Sequence, residues 1–386
     1  MKKIILCLLG FIVFNNAVLA TTTDDNIDKI MHNLMHKYAI PGAAVLFYKD
    51  GKVTQHLFGV MNKKTHAPVR STTIFELGSV TKTFSALLLA QNVGSGEMSL
   101  DDKLVDYLDN SDGYSDSLKQ ITLLELATYT SGLPFNIDNM SYNGATNSRN
   151  QKVLNQFLHT WVAPYTPGTA ERYSNPGFAL LGMAMADYEE APLAQVMQNN
   201  ILQPLNMNSS FLTIPANKMK FYSGGYDAKG SPSRSPQGGL LAGSWAMKAS
   251  VTDMEQYLRL ALGLDNMPPK LVTAMKIAQT GYFENEKHQQ IGLAWMVNPL
   301  DKVDKAELLK VVEPAPRKHN ESPVSRIGSP KFNGNALIEK TGSTNGFRAY
   351  IGVIPGQKIG VVILVNRFLY DDHVTQHTGR ELLLNN

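Results

Sequence analysis

Three short clusters of residues in this chain could do chemistry together. In Ser79-Val80-Thr81-Lys82 a hydroxyl and an amine stand three residues apart. On a helix that spacing puts both on one face, with Cβ atoms about 5–6 Å apart. A serine hydroxyl is a poor nucleophile until a nearby base takes its proton. A helix start adds a backbone N–H and a favourable dipole where an oxyanion would form. Tyr173-Ser174-Asn175 sits between Pro167-Gly168 and Pro176-Gly177, punctuation that predicts a loop between helices. Its phenol can trade a proton and its amide can clamp a ligand or a lysine. In Lys340-Thr341-Gly342-Ser343 the first two side chains can hold a carboxylate. Gly342 is expected to let a ligand approach the strand edge, and the Ser343 N–H to face a developing oxyanion. Taken singly these are weak signals. A Ser followed three residues later by Lys is expected by chance roughly once or twice in such a chain, and Lys-Thr-Gly in about one chain in ten. An exposed helix pair and a capped loop explain the first two equally well in isolation. Their conjunction on a helix start, a loop and a strand is the specific observation.

The elements that must position these clusters are legible in outline. Two apolar runs, residues 43–48 and 53–60, flank Asp50-Gly51, a strong hairpin signal. Residues 80–92 are good helix formers and close at Gly94, which predicts a buried helix with Ser79 at its N-terminal end. Further helices are predicted over residues 123–128, 152–162, 178–188, 193–202 and 254–264. Residues 336–340, 347–354 and 359–365 read as strands, with Pro355-Gly356 turning the second into the third, and residues 371–384 as a terminal helix. Residues 311–334, rich in Pro, Ser, Asn and charge, read as a surface loop. Short connections favour antiparallel pairing. The expected fold class is α/β of the α+β type: an antiparallel sheet flanked by helices and built from both chain ends (21–98 and 300–386), plus a mostly helical domain (99–299). The active site is expected in the cleft between them.

Composition excludes several functions. Of 386 residues, 36 are basic and 33 acidic. That balance lacks the concentrated positive charge of a nucleic-acid binder. The single cysteine, Cys7, rules against a disulfide scaffold, a cysteine-ligated zinc and a cysteine nucleophile. Cys7 itself lies in an apolar run, residues 4–14, that follows Lys2-Lys3 and precedes Ala17-Val18-Leu19-Ala20. This is the order of a cleaved secretory signal peptide, residues 1–20, and the run is too short for a stable membrane anchor. The mature chain is expected to be exported and unanchored, and a monomer. His32/His36 and His373/His377 have chelating spacing but no third ligand nearby in sequence and no His-Glu-x-x-His, so neither a metal nor a cofactor is called for. No Gly-x-Ser-x-Gly elbow occurs. Trp161, Trp245 and Trp295 read as packing, with Trp245 the candidate exception.

The three clusters resemble the signature set of class C serine β-lactamases. So do Ile74-Phe75-Glu76-Leu77-Gly78 and Leu126-Ala127-Thr128-Tyr129-Thr130-Ser131-Gly132-Leu133-Pro134. The resemblance covers essentially the whole mature chain and is weakest over residues 311–334. It implies β-lactam antibiotics as substrates and a periplasmic address. It implies Ser79 as the acylated nucleophile, with Lys82 and Tyr173 moving its proton and activating the deacylating water. Asn175 would hold Lys82 and the substrate amide. Lys340, Thr341 and Asn366 would meet the substrate carboxylate, and the N–H groups of Ser79 and Ser343 would form the oxyanion hole. Gly342 belongs to the same substrate edge. Asn136 stands where the family usually has a glutamine lining the amide side, Trp245 where it has a tyrosine, and residues 236–242 look altered in length. An acidic Glu339 before Lys340 is unusual. These departures bear on substrate preference more than on reaction type.

Physics narrows the choice of base. An ammonium about 4 Å from a phenol, at an effective dielectric near 20, favours the phenolate by roughly 4 kcal/mol, while burial opposes it. The same neighbours push Lys82 toward its neutral form, so a shared Lys82/Tyr173 base is expected. A D-alanyl-D-alanine carboxypeptidase or a β-lactamase-like esterase would use the same serine logic, and a non-catalytic β-lactam sensor would acylate and stop.

Overall fold

The computed structural model describes residues 16–109, 111–140, 148–236, 238–310, 321–371 and 373–385, with side chains from residue 24 onward. Most of the expected leader, residues 1–15, lies outside the described residues. A helix over Asn16–Lys37 runs through the end of that leader.

Runs of buried apolar residues build the central strands. The strands are β1 (Gly42–Lys49), β2 (Lys52–Asn62), β3 (Ala67–Pro68), β4 (Ile74–Glu76), β5 (Ala170–Glu171), β6 (Ser210–Phe211), β7 (Lys248–Ser250), β8 (Phe283–Asn285), β9 (Gln290–Ile291), β10 (Met296–Pro299), β11 (Ser322–Arg326), β12 (Ala336–Ser343), β13 (Arg348–Ile354) and β14 (Ile359–Val365). Among the described residues eleven form one antiparallel sheet in the order β3-β2-β1-β14-β13-β12-β10-β9-β8-β11-β5, and β4-β7-β6 form a small second one. Along β1, Ala44, Leu46 and Tyr48 face one apolar core while Ala43, Val45 and Phe47 face another. Both faces of the central strands are therefore covered, which is why they read as unbroken apolar runs. One core joins the sheet to the helices of the chain's middle. The other is roofed by Ile27, Met31 and Leu34 of the first helix and by Val374, Leu382 and Leu383 of the last, His373–Leu384.

The expected hairpin forms. Asp50 (φ 47°) and Gly51 (φ 87°) give the left-handed pair that matches strand twist. Two expectations change. The sheet also takes in β8 to β10, from the stretch read as mostly helical. Residues 322–326, read as surface loop, are strand β11, paired with β8 and β5. Its burial is single-sided, with only Val324 inside, so composition alone reads as loop. Residues 311–320 of that segment lie outside the described residues. Among the described residues no helix is long and apolar enough to cross a membrane.

Candidate active site

Ser79 is launched from a tight turn. β4 leads through Leu77 into a single 3-10 turn, Gly78–Val80, and then the buried helix Thr81–Ser95, which closes on the left-handed Gly96 rather than on Gly94. Two glycines fix where that turn sits. Gly78 has φ +51°, and a Cβ on it would stand 2.5 Å from the backbone N of Ser343. A Cβ on Gly342 would stand 2.0 Å from the Leu77 carbonyl oxygen. The nucleophile turn thus packs backbone-to-backbone on the end of β12. Gly342 makes room for the protein's own chain as well as lining the cleft. This close approach brings Ser79 beside the Ser343 N–H, the two donors of the expected oxyanion hole.

Lys82 follows one turn later, and its Nζ lies 3.2 Å from Ser79 Oγ. It also donates to Asn175 Oδ1 at 2.8 Å and to the Ser244 carbonyl at 2.9 Å. Lys82 is fully buried. Burial, and then the positive charge of Lys340, hold its amine well below the ordinary lysine range. A neutral amine has two N–H donors and one lone pair. Asn175 and Ser244 offer only acceptors and take both donors, so the lone pair remains for the Ser79 hydroxyl. This arrangement makes Lys82 competent to accept the serine's proton.

Tyr173 and Asn175 mark a helix start rather than an open loop. Ser174 caps Asn175–Tyr188, accepting from the Gly177 N–H at 3.0 Å, with Pro176 in the first turn. Asn175 Nδ2 donates to Asn136 Oδ1 at 2.9 Å, which places Asn136 beside the cleft. Tyr173 is flanked by both lysines: Lys82 Nζ is 4.9 Å and Lys340 Nζ 5.0 Å from its ring centre. Burial pushes Lys340 down to about 8, opposed by Glu171 and then Glu339. Thr341, Gly342 and Ser343 line a cleft of about 1390 Å³ that opens at Ser79.

Two readings are corrected. Asn366 does not meet the cleft: it is fully buried, its Oδ1 accepts from Gly42 N at 2.7 Å, and its Nδ2 donates to Val60 O and Ser223 Oγ. It staples β14 to the β1–β2 pair. Glu339 faces away from Lys340 across the pleat, onto the terminal helix. There Arg380 Nε donates to both of its oxygens and Gln376 and Tyr350 donate as well. It holds that helix. Trp161 and Trp245 pack against the core as expected and also line the cleft with Phe157, while Trp295 is wholly buried. The altered stretch at 236–242 includes residue 237, which lies outside the described residues.

Sequence reasoning missed several contributors. The Ser244 carbonyl comes from the short helix Ala242–Trp245, which reaches the site because Gly243 packs on the Phe178 carbonyl. A backbone acceptor has no residue signature. The seating of Gly243, without room for a Cβ, was the only available hint. Arg348 also lines the cleft and donates to Ser343 Oγ. Tyr129 stacks beneath Tyr173. Of the histidine pairs, His373 bonds Gln376, His377 bonds the Leu309 carbonyl and His32 bonds the Asp28 carbonyl.

The chain was compared with known proteins. A family model described as Beta-lactamase matches residues 27–385. The β-lactamase of Lysobacter lactamgenus is 32% identical over 374 residues, covering 95% of this chain and 94% of that one. Among solved structures, a class C β-lactamase in complex with cefoxitin is 30% identical with a TM-score of 0.85, covering 95% of this chain and 99% of that one. A D-alanine carboxypeptidase from Burkholderia cenocepacia is 30% identical with a TM-score of 0.82, covering 94% and 99%.

Proposed function

The chain belongs to the class C serine β-lactamase family, and on that premise we propose that it hydrolyses the β-lactam amide of cephalosporins and penicillins through an acyl-enzyme on Ser79. The observation that carries this reading is the Lys82 amine, 3.2 Å from Ser79 Oγ with both its other directions spent on acceptors.

The reaction then runs as follows. Lys82 takes the Ser79 proton as the oxygen attacks the lactam carbonyl, and negative charge collects on the carbonyl oxygen between the N–H groups of Ser79 and Ser343. The carbon–nitrogen bond breaks as the proton passes to the ring nitrogen by way of Tyr173. Opening the ring leaves an ester on Ser79. Water, deprotonated by the Lys82/Tyr173 pair, adds to that ester and releases the product acid and the serine hydroxyl. Lys340 and Thr341 attract the substrate carboxylate, while the amides of Asn175 and Asn136 meet the side-chain amide. The charge, apolar core and small-residue order of residues 1–20 support export to the periplasm, and the mature protein acts there as a monomer.

A second reading, D-alanine carboxypeptidase activity, is favoured by the likeness to the Burkholderia cenocepacia enzyme. One assay separates them. Purified protein should turn over a chromogenic cephalosporin continuously, and Ser79→Ala should lose that activity and the covalent adduct seen by intact mass with a slow-reacting lactam. A single burst without turnover, alongside release of D-alanine from a D-alanyl-D-alanine peptide, would reverse the assignment.

A further inference from the structure

We propose that Tyr129 is a positioning residue of this reaction: a strained aromatic platform that holds the Tyr173 phenol and the Lys340 ammonium in register with Ser79. The proposal rests on the acyl-serine reading above and adds a residue that the proton-transfer steps do not use.

Tyr129 follows the short helix Leu123–Ala127, whose start is locked by a capping box between Thr122 and Glu125. Its φ is +62°, a left-handed conformation that an aromatic residue rarely adopts. Such a conformer persists only where its surroundings over-determine it, and it clusters at working sites. Here the Arg172 N–H bonds the Tyr129 carbonyl at 2.7 Å, tying the segment to the residue that precedes Tyr173, and the Thr130 N–H bonds the Glu125 carbonyl at 2.9 Å, tying it to the short helix. The ring is 4% exposed. It stacks on Tyr173 with centroids 4.8 Å apart and planes 19° apart, and rests on Phe178 at 5.1 Å. Lys340 Nζ rides over both tyrosines, 5.6 Å from one ring centre and 5.0 Å from the other.

The hydroxyl does not explain the residue. It is buried without a hydrogen-bond partner among the described residues. What Tyr129 contributes is its π face. That face attracts the Lys340 cation and gives the Tyr173 ring a single seat between two amines. The charged and titratable groups around Lys340 are Lys82 from the nucleophile helix, Tyr129 and Tyr173 beneath it, Glu171 on β5 and Glu339 from its own strand. Removing the platform leaves the other four groups in place but frees their geometry. Water entering the vacated space relieves the burial that lowers Lys340, so its ammonium persists to higher pH. Tyr173, no longer seated between the two amines, misplaces its phenol relative to Ser79. The rate therefore falls while the alkaline limb moves upward.

The experiment uses two variants of the full-length mature protein. Tyr129→Asn removes the ring and suits the left-handed backbone, but the emptied core site outweighs the relieved strain, so Tm should fall by several degrees with the protein still folded at assay temperature, and rates are normalised to folded protein. Its kcat/KM on a chromogenic cephalosporin should nevertheless fall by about 30-fold or more, as loss of near-attack geometry predicts. The alkaline limb of its pH profile should move up by roughly one unit. Tyr129→Phe keeps the platform and should hold rate and profile within about twofold of the parent. The proposal is overturned if Tyr129→Asn stays within threefold with unmoved limbs, if its rate falls uniformly at unchanged profile, or if Tyr129→Phe is as damaging as Tyr129→Asn. A parent protein that forms no adduct on Ser79 would instead sink the acyl-serine reading, a result independent of either variant.

Discussion

The contact between the nucleophile turn and β12 allows a quantitative test. In Gly342→Ala the new methyl would stand 2.0 Å from the Leu77 carbonyl oxygen, against the 3.4 Å of ordinary contact. Neither partner is a flexible side chain, so the two backbones must separate by about 1.4 Å. The turn carries Ser79 and the strand carries the Ser343 N–H, so this separation opens the oxyanion hole directly. Donors there must sit 2.7–3.1 Å from the oxyanion, and a misplacement of about 1 Å costs on the order of 10²-fold. At about 1.36 kcal/mol per decade, kcat/KM should fall by roughly 100-fold, or about 2.7 kcal/mol of transition-state stabilisation. The assay is steady-state hydrolysis of a chromogenic cephalosporin, normalised to folded protein by circular dichroism, with the rate of acylation followed by intact mass. Gly328→Ala is the control, since a Cβ there meets nothing within 4 Å. A Gly342→Ala enzyme that keeps kcat/KM within threefold of the parent while folded would refute the idea that this glycine sets the distance between turn and strand.

Two further outcomes follow from the same geometry. Lys340 is pushed down to about 8, so below that pH it is an ammonium and above it a neutral amine. KM for carboxylate-bearing lactams should therefore rise as pH passes through about 8, with kcat less affected, and Lys340→Ala should abolish that rise. A KM flat from pH 7 to 9.5 would remove the residue from carboxylate binding. Asn366→Ala should act on stability alone. It strands the buried Gly42 N–H, at roughly 1–3 kcal/mol, and frees the partly buried Val60 carbonyl at a smaller cost, and so lowers Tm by several degrees. The kcat/KM per folded molecule should stay at the parental value, and a selective loss of carboxylate substrates would return Asn366 to the site.

What was legible in the sequence was what is local. The Ser79–Lys82 pair is one helical turn, and a turn's geometry follows from spacing alone. The Asp50-Gly51 hairpin and the β12–β14 meander are likewise short-range patterns, and each formed. The three clusters were recognisable because their side chains name their chemistry. Tertiary structure decided everything that depends on which face of an element meets which partner. Glu339 and Lys340 are neighbours in sequence, yet the pleat sends one to the terminal helix and the other to the tyrosines. Asn366 has the right chemistry for a carboxylate but is spent on β1 and β2, more than 300 residues away in sequence. The acceptor that completes the environment of Lys82 is a carbonyl at Ser244, 162 residues on, and every residue has one. The amino-acid sequence by itself determined which groups could react. Only the packing of the two backbones at Gly78 and Gly342, and of one aromatic ring under another, decided where they stand when they do.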